Sequence, residues 1–295
     1  MGVVGVSASA ERSSAGNACG PRMPTLSVVI PALNEAHHLR ELLPEIMAQS
    51  LCPIEVIVAD AGSRDSTSLV AEQHGARVVA GGRPSLGRNN GASAAGGEWL
   101  CFLDADTRLP RSTTLEDAVA DARHRQVAAM VGDYRPYYRP GDLGFGLRLI
   151  RLYDRILLRV LSASQRVWLR TGFPIGQAVF LLTRRDAFLG LGGFAAAAEP
   201  FEDSEYLLRV HRHCRAPAGR LSAVGVMPRG FHVWVSTRRW DVLGRLRFPC
   251  SLGVRGGILR RLLRREMPDP SYWELNARGL YRERQEMVPA AQRRT

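Results

Sequence analysis

An α/β fold, with helices covering both faces of a mainly parallel central sheet, is what the order of segments in this 295-residue sequence predicts. Three observations carry that expectation. The apolar runs LSVVI (26–30), IEVIVAD (54–60), RVVA (77–80) and EWLCFLDAD (98–106) are close to continuous, as strands buried on both faces must be. Helix-period stretches separate them, which parallel strands need for their crossovers. Finally, 45% of the residues are apolar, enough for a sizeable core, which excludes disorder throughout.

The elements follow in order. After the first strand, EAHHLRELLPEIMAQ (35–49) has helix period; DSTSLVAEQHG (65–75) is a second helix with Gly75 as its stop, and PSLGRNNGASAA (84–95) a third. Sheets of this kind bind ligands beyond the carboxyl ends of their strands, near a topological switch point. The polar residues collect there: Pro31, Asn34 and Glu35 after the first strand, Asp60, Gly62, Ser63 and Asp65 after the second, Asp104 and Asp106 at the end of the later one. Such residues also cap helices and shape turns, and capping is the reading for Ser63 and Asp65. Two carboxylates alternating along extended backbone point to opposite sides, so Asp104 and Asp106 can engage different groups. One suits ribose hydroxyls. The other suits Mg²⁺ or Mn²⁺, which take one or two protein carboxylates and fill their remaining positions with substrate phosphates and water.

The formal charge is +12, and all 40 basic residues are arginine. That excess predicts attraction to phosphates, nucleotides or anionic lipid. Five cysteines (Cys19, Cys52, Cys101, Cys214, Cys250) contain no close-spaced pair and read as reduced thiols of a cytosolic protein. Residues 1–24 read as a loose tail without the basic start of a signal peptide, and Met23 stands as an alternative start. No segment offers the roughly 18 uncharged apolar residues of a membrane span. LGFGLRLIRLYDRILLRVL (143–161) is an amphipathic helix. It either lies against the protein's own core or rests a basic face on a membrane.

The strings LSVVIPALNEAHHLRELLPEI, VIVADAGSRDST and GRNNGASAAGGEWLCFLDADT, followed by GQAVFLLTRRDAFLGLGGF and FEDSEYLLRVHRH, resemble the family 2 glycosyltransferases of GT-A fold over about residues 25–215. The resemblance implies a Rossmann-like three-layer fold and a metal-dependent, inverting transfer of a sugar from a nucleotide-diphosphate donor to an acceptor hydroxyl. Carried over by position, it implies that Pro31, Asn34 and Glu35 frame the nucleotide pocket and that Asp60 contacts the base. Arg88 reaches the nucleotide or its phosphates, Asp104 serves the ribose side, and Asp106 ligates Mn²⁺ or Mg²⁺. In the Glu202-Asp203 pair, Asp203 matches the general base, with Glu202 and Glu205 as understudies. In-line displacement does need a base on the face opposite the leaving diphosphate, although acids also suit the start of a helix on their own account.

Departures limit the reading. Many relatives have a second acid where Ala61 stands, which leaves the nucleotide open; the match fades between Val131 and Gly176, where an acceptor is shaped. Further on, VSTRRW resembles a stretch of some bacterial members: Arg238 and Arg239 clamp a diphosphate or are solvated surface, and His232 is a further metal ligand or a structural histidine. The tail from Leu243 is basic, with aliphatic residues interleaved as in GGILRRLLRR, and suits an anionic membrane or a helix packed on the catalytic domain. No nucleic-acid motif accompanies it, so no nucleic-acid partner is expected. The expected organisation is a tail (1–24), a glycosyltransferase domain (25–235) with nucleotide half 25–110 and acceptor half 111–235, and a basic helical extension (236–295). The expected location is cytoplasmic, peripheral on the inner membrane face, with an acceptor that could be lipid-linked. Other classes stay open. A polyprenyl-phosphate sugar synthase takes a lipid phosphate as acceptor. A nucleotidyltransferase opens with a glycine-rich basic loop where this chain has PALNEA, and a basic adaptor would leave both acidic motifs idle.

Overall fold

The computed structural model describes residues 24–138, 145–170, 179–198, 202–214, 223–228 and 231–236, with the side chains of the long helix described from 149 to 167. The chain opens with β1 (Leu26–Ala32), α1 (Ala36–Met47), β2 (Ile54–Asp60), α2 (Thr67–Gln73), β3 (Arg77–Ala80), α3 (Pro84–Ala94) and β4 (Trp99–Leu103). Then come β5 (Thr107–Arg108), α4 (Thr114–Arg125), β6 (Ala129–Val131), β7 (Tyr134–Tyr137) and α5 (Phe145–Arg170). It continues through β8 (Phe180–Arg184), α6 (Arg185–Gly190), α7 (Glu202–His213), β9 (Val224–Val226) and β10 (Val233–Ser236).

The central sheet has seven strands in the order β3-β2-β1-β4-β8-β6-β9. β1 to β4 are mutually parallel, and β8 alone runs against both of its neighbours. The mainly parallel α/β sheet expected from the sequence is therefore the one observed. β1 and β4 are buried at every position, which is why their runs are apolar throughout. Two clusters fill the faces: Leu39, Leu42, Leu43 and Ile46 of α1 pack with Val28 and Ile30 on one side, and Phe102, Phe188, Phe194 and Tyr206 pack with Val29 on the other.

The order of strands reverses at β1. Its pairing with β2 runs on to Ala32↔Asp60, while its pairing with β4 stops at Val29↔Phe102. Pro31 lies past that point, where the β4 side makes no demand for its missing N–H. β1 and β4 thus part at their carboxyl ends and leave the crevice at a switch point. A second sheet, β5-β10-β7, stands beside it. Nothing in the sequence announced it, because its strands have only two to four residues.

The helix expected over 143–161 runs from Phe145 to Arg170, packs Leu157, Leu158 and Leu161 at the core, and also turns an apolar stripe outward. Asp154, Leu158, Ser162 and Gln165 face inward, whereas Leu149, Leu152, Ile156, Val160 and Val167 are exposed. Neither sequence reading of this helix anticipated an apolar face turned outward. Among the described residues no helix is long and apolar enough to cross a membrane.

The turn from α3 into β4 is tied to the start of β1. The Gly97 amide donates to the Ser27 hydroxyl at 2.9 Å, and that hydroxyl donates to Glu55 at 2.6 Å. A Cβ at Gly97 would stand 2.6 Å from the Ser27 nitrogen, against backbone that cannot give way. Gly97→Ala is expected to cost about 1–3 kcal/mol in urea unfolding, the usual penalty of overpacking. Gly190→Ala, at a helix end where a Cβ would meet nothing within 4 Å, should be neutral or gain up to about 1 kcal/mol.

Candidate active site

The loops after β1 and β2 hold each other. Asn34 takes a left-handed conformation (φ 56°), which asparagine tolerates better than most residues, and turns the chain out of the sheet. Its amide donates to the Ser63 hydroxyl at 2.8 Å, and its side-chain oxygen accepts from the Arg64 amide at 2.8 Å. Asp60 uses both carboxylate oxygens locally: one accepts from the Ser63 amide and hydroxyl at 3.0 and 2.5 Å, the other from the Ser68 hydroxyl at 2.5 Å. Asp65 accepts from the first amides of two helices, Ala36 at 3.1 Å and Thr67 at 3.0 Å. Ser63 belongs to the same loop network and does not cap α2. Glu35 is buried and meets His38 at 2.7 Å.

At the end of β4, the acids do not sit on extended backbone as expected. The strand stops at Leu103, and Asp104-Ala105-Asp106 form a turn closed by the Thr107 amide on the Asp104 carbonyl at 3.0 Å. Asp104 accepts from Arg88 at 2.8 Å, and the other arm of the same guanidinium donates to Glu202 at 2.9 Å. All three side chains are about nine-tenths buried.

Arg88 is therefore engaged by two protein carboxylates. Burial by itself would push its guanidinium down, but Asp104, Glu202 and Asp203 outweigh that and hold it above its ordinary value. Tyr134 lies in the same field. Burial, and then the charges of Asp203 and Asp104, push its phenol up, so it keeps its proton. Next to Arg88, Asn89 clamps the turn carrying Gly193: its side chain donates to the Phe194 carbonyl and accepts from the Phe194 amide, both at 2.9 Å.

The acids that open α7 sort themselves by partner. Glu202 is held by Arg88, and Glu205 forms a two-armed pair with Arg209 at 2.7 and 2.6 Å. Asp203, half-buried, accepts from the Ser204 amide at 2.8 Å and contributes its charge to the Arg88–Tyr134 cluster. The two understudies are thus already committed.

β10 runs antiparallel to β5, with Trp234 opposite Arg108 and Val235 opposite Thr107, and His232, just before β10, has its ring 6.2 Å from that of Trp234. Among the described residues no three of His, Cys, Asp and Glu form a group that could hold a metal ion. Arg238 and Arg239 lie outside the described residues, as does the rest of the basic extension beyond Ser236.

The sequence profile of glycosyl transferase family 2 matches residues 27–191, more than half of the chain. This chain belongs to that family. Among curated relatives, a 4,4'-diaponeurosporenoate glycosyltransferase of Staphylococcus haemolyticus is 28% identical over 218 residues, covering 70% of this chain and 56% of the relative. A PGL/p-HBAD biosynthesis glycosyltransferase of Mycobacterium bovis is 29% identical over 167 residues, covering 50% and 60%. The chain spans less than two thirds of the length of either. Of solved structures, the mannosyltransferase PcManGT of Pyrobaculum calidifontis matches with a TM-score of 0.51 at 20% identity, over 88% of this chain and 70% of that one. The fold is shared, and it is the GT-A arrangement that the resemblance implied.

Within this family 2 member, what sequence reasoning missed is the linkage between its motifs. No pattern pairs residue 88 with residue 202, and Tyr134 falls where the resemblance had faded. A lone arginine in a helix of small residues was the one available signal. Because Arg88 neutralises two buried carboxylates, Arg88→Met should lower stability by about 3–5 kcal/mol, the usual cost of leaving a buried charge without its partner. In a double-mutant cycle of urea midpoints, adding Glu202→Gln should recover part of that loss; additive losses would show that the pair is not coupled.

Proposed function

We propose that this chain transfers a sugar, with inversion, from a nucleotide-diphosphate donor to an acceptor hydroxyl. Family membership supports the reaction class. The observation that carries the assignment is the Arg88 bridge, which ties the turn of Asp104 and Asp106 to the start of α7, so that Asp203 stands beside the carboxyl end of β4. An acid from the second half of the domain next to the donor side is what an in-line displacement needs.

In this reading the acceptor oxygen attacks the anomeric carbon and the bond to the diphosphate breaks, the leaving group taking the electron pair. Asp203 receives the acceptor's proton. The loops of Asn34 and Asp60 form the nucleoside end; Asp60 lies two strands from Asp104, about 10 Å at the usual strand spacing, a separation suited to an extended ligand. Pro31 and Glu35 shape that wall. The second oxygen of Glu202 is buried and has no hydrogen-bond partner, which fits it to accept from a sugar hydroxyl. Asp104 serves the ribose or sugar side.

A divalent cation, Mn²⁺ or Mg²⁺, would be held by Asp106. Hard carboxylate oxygen suits either ion, whose remaining positions the donor's own phosphates and water would fill. It would supply neutralisation of the departing diphosphate. PcManGT, which has the same fold, is in complex with GDP-Man and Mn²⁺. Arg238 and Arg239 belong to the proposal as the remaining phosphate clamp, residues 25–110 and 111–235 as its donor and acceptor halves, and the cytoplasmic membrane face as its location.

UDP-, GDP- and dTDP-sugars, each tested with and without Mn²⁺, should yield one nucleotide class that raises the melting temperature, since a ligand binding only the native state stabilises it. Asp106→Asn should abolish the Mn²⁺-dependent part of that rise while circular dichroism stays native. Asp203→Asn should keep donor binding and lose about 100-fold or more in kcat. Turnover largely intact in Asp203→Asn would favour the alternative of a lipid-phosphate acceptor, which needs no strong base.

A further inference from the structure

We propose that the outward face of α5 is a docking surface for an anionic lipid bilayer. Leu149, Leu152, Ile156, Val160 and Val167 are exposed at 70, 53, 52, 58 and 59%. At 100° per residue they fall within an arc of about 80°, and they extend over about 27 Å of helix. A soluble helix ordinarily buries such a stripe; here α5 buries a different face, where Leu158 joins the core beside Asp154, Ser162 and Gln165 and where Leu157 and Leu161 pack, and the stripe is left outward.

The charges select the occupant. Arg155 and Arg159 are exposed along one flank of the stripe. The only acid of α5 is Asp154, which is fully buried and accepts from the Tyr138 hydroxyl at 3.1 Å. A second copy of this +12 chain, or its own arginine-rich stretch at 255–265, would set arginine against arginine. An anionic bilayer answers both features, taking apolar side chains into its acyl boundary and guanidinium groups at its headgroups. With no helix able to span among the described residues, α5 would lie in the plane of the surface. This inference concerns attachment and does not depend on the transfer reaction.

Co-sedimentation of the full chain with phosphatidylcholine vesicles, with and without phosphatidylglycerol, tests it. The protein should bind the phosphatidylglycerol vesicles, and Leu152→Ser/Ile156→Ser/Val160→Ser should reduce that binding roughly tenfold or more, since three exposed apolar contacts are removed. Arg155→Glu/Arg159→Glu should abolish the preference for phosphatidylglycerol. All substituted side chains are exposed, and native circular dichroism with unchanged donor-induced stabilisation would show that fold and transfer site persist. Three results would overturn the proposal: no vesicle binding by the unaltered chain, equal binding by the triple variant, or a dimer in solution that the triple variant dissociates.

Discussion

A guanidinium removed from water must be surrounded by its own counter-charges, and in this protein that requirement joins three remote parts of the chain. Arg88 comes from α3, Asp104 from the turn sixteen residues on, and Glu202 from a helix start 114 residues on. Once α3 lies on the sheet, the arginine can be buried only if β4 ends where it does and α7 begins where it does. The neighbours reinforce the constraint: Asn89, on the next position of α3, fixes the Phe194 backbone, and Phe194 packs edge-on against Phe102 and Tyr206. One side of the bridge is polar and the other aromatic. The acid-rich end of α7 has little freedom to move away from the end of β4.

What the sequence discloses follows from which forces are local. β2 and β3 were legible to the residue, because burial on both faces demands continuous apolar runs and turns bound them. β1 extends past its apolar core to include Pro31 and Ala32, a boundary set by its continued pairing with β2. β5, β7 and β10 were illegible, since two to four residues carry no period and their pairing is decided by distant partners. The polar residues at strand ends were legible as a set. Their partners within the chain were not: Asp60 also organises its own loop, and Arg88 links two carboxylates. Hydrogen-bond partners are tertiary facts, and residue type leaves them open.

The inward face of α5 and the acid cluster are connected through β7. The Ser162 hydroxyl, on the buried face of α5, accepts from the Tyr134 amide at 3.4 Å, and Arg166 of the same helix reaches Asp133 at 3.1 Å and the Met227 carbonyl at 3.1 Å. Tyr134 in turn lies in the field of Asp203 and Asp104. The inner face of α5 thus sets Leu158 in the core and adds polar groups that grip the residues walling the acidic cluster. The stripe is left outward, on the opposite side of the same rigid helix. If that stripe rests on a bilayer, the distance from the lipid surface to Asp203 is set by one helix and one short strand. An acceptor embedded in the membrane would then meet the site at a height fixed by the fold.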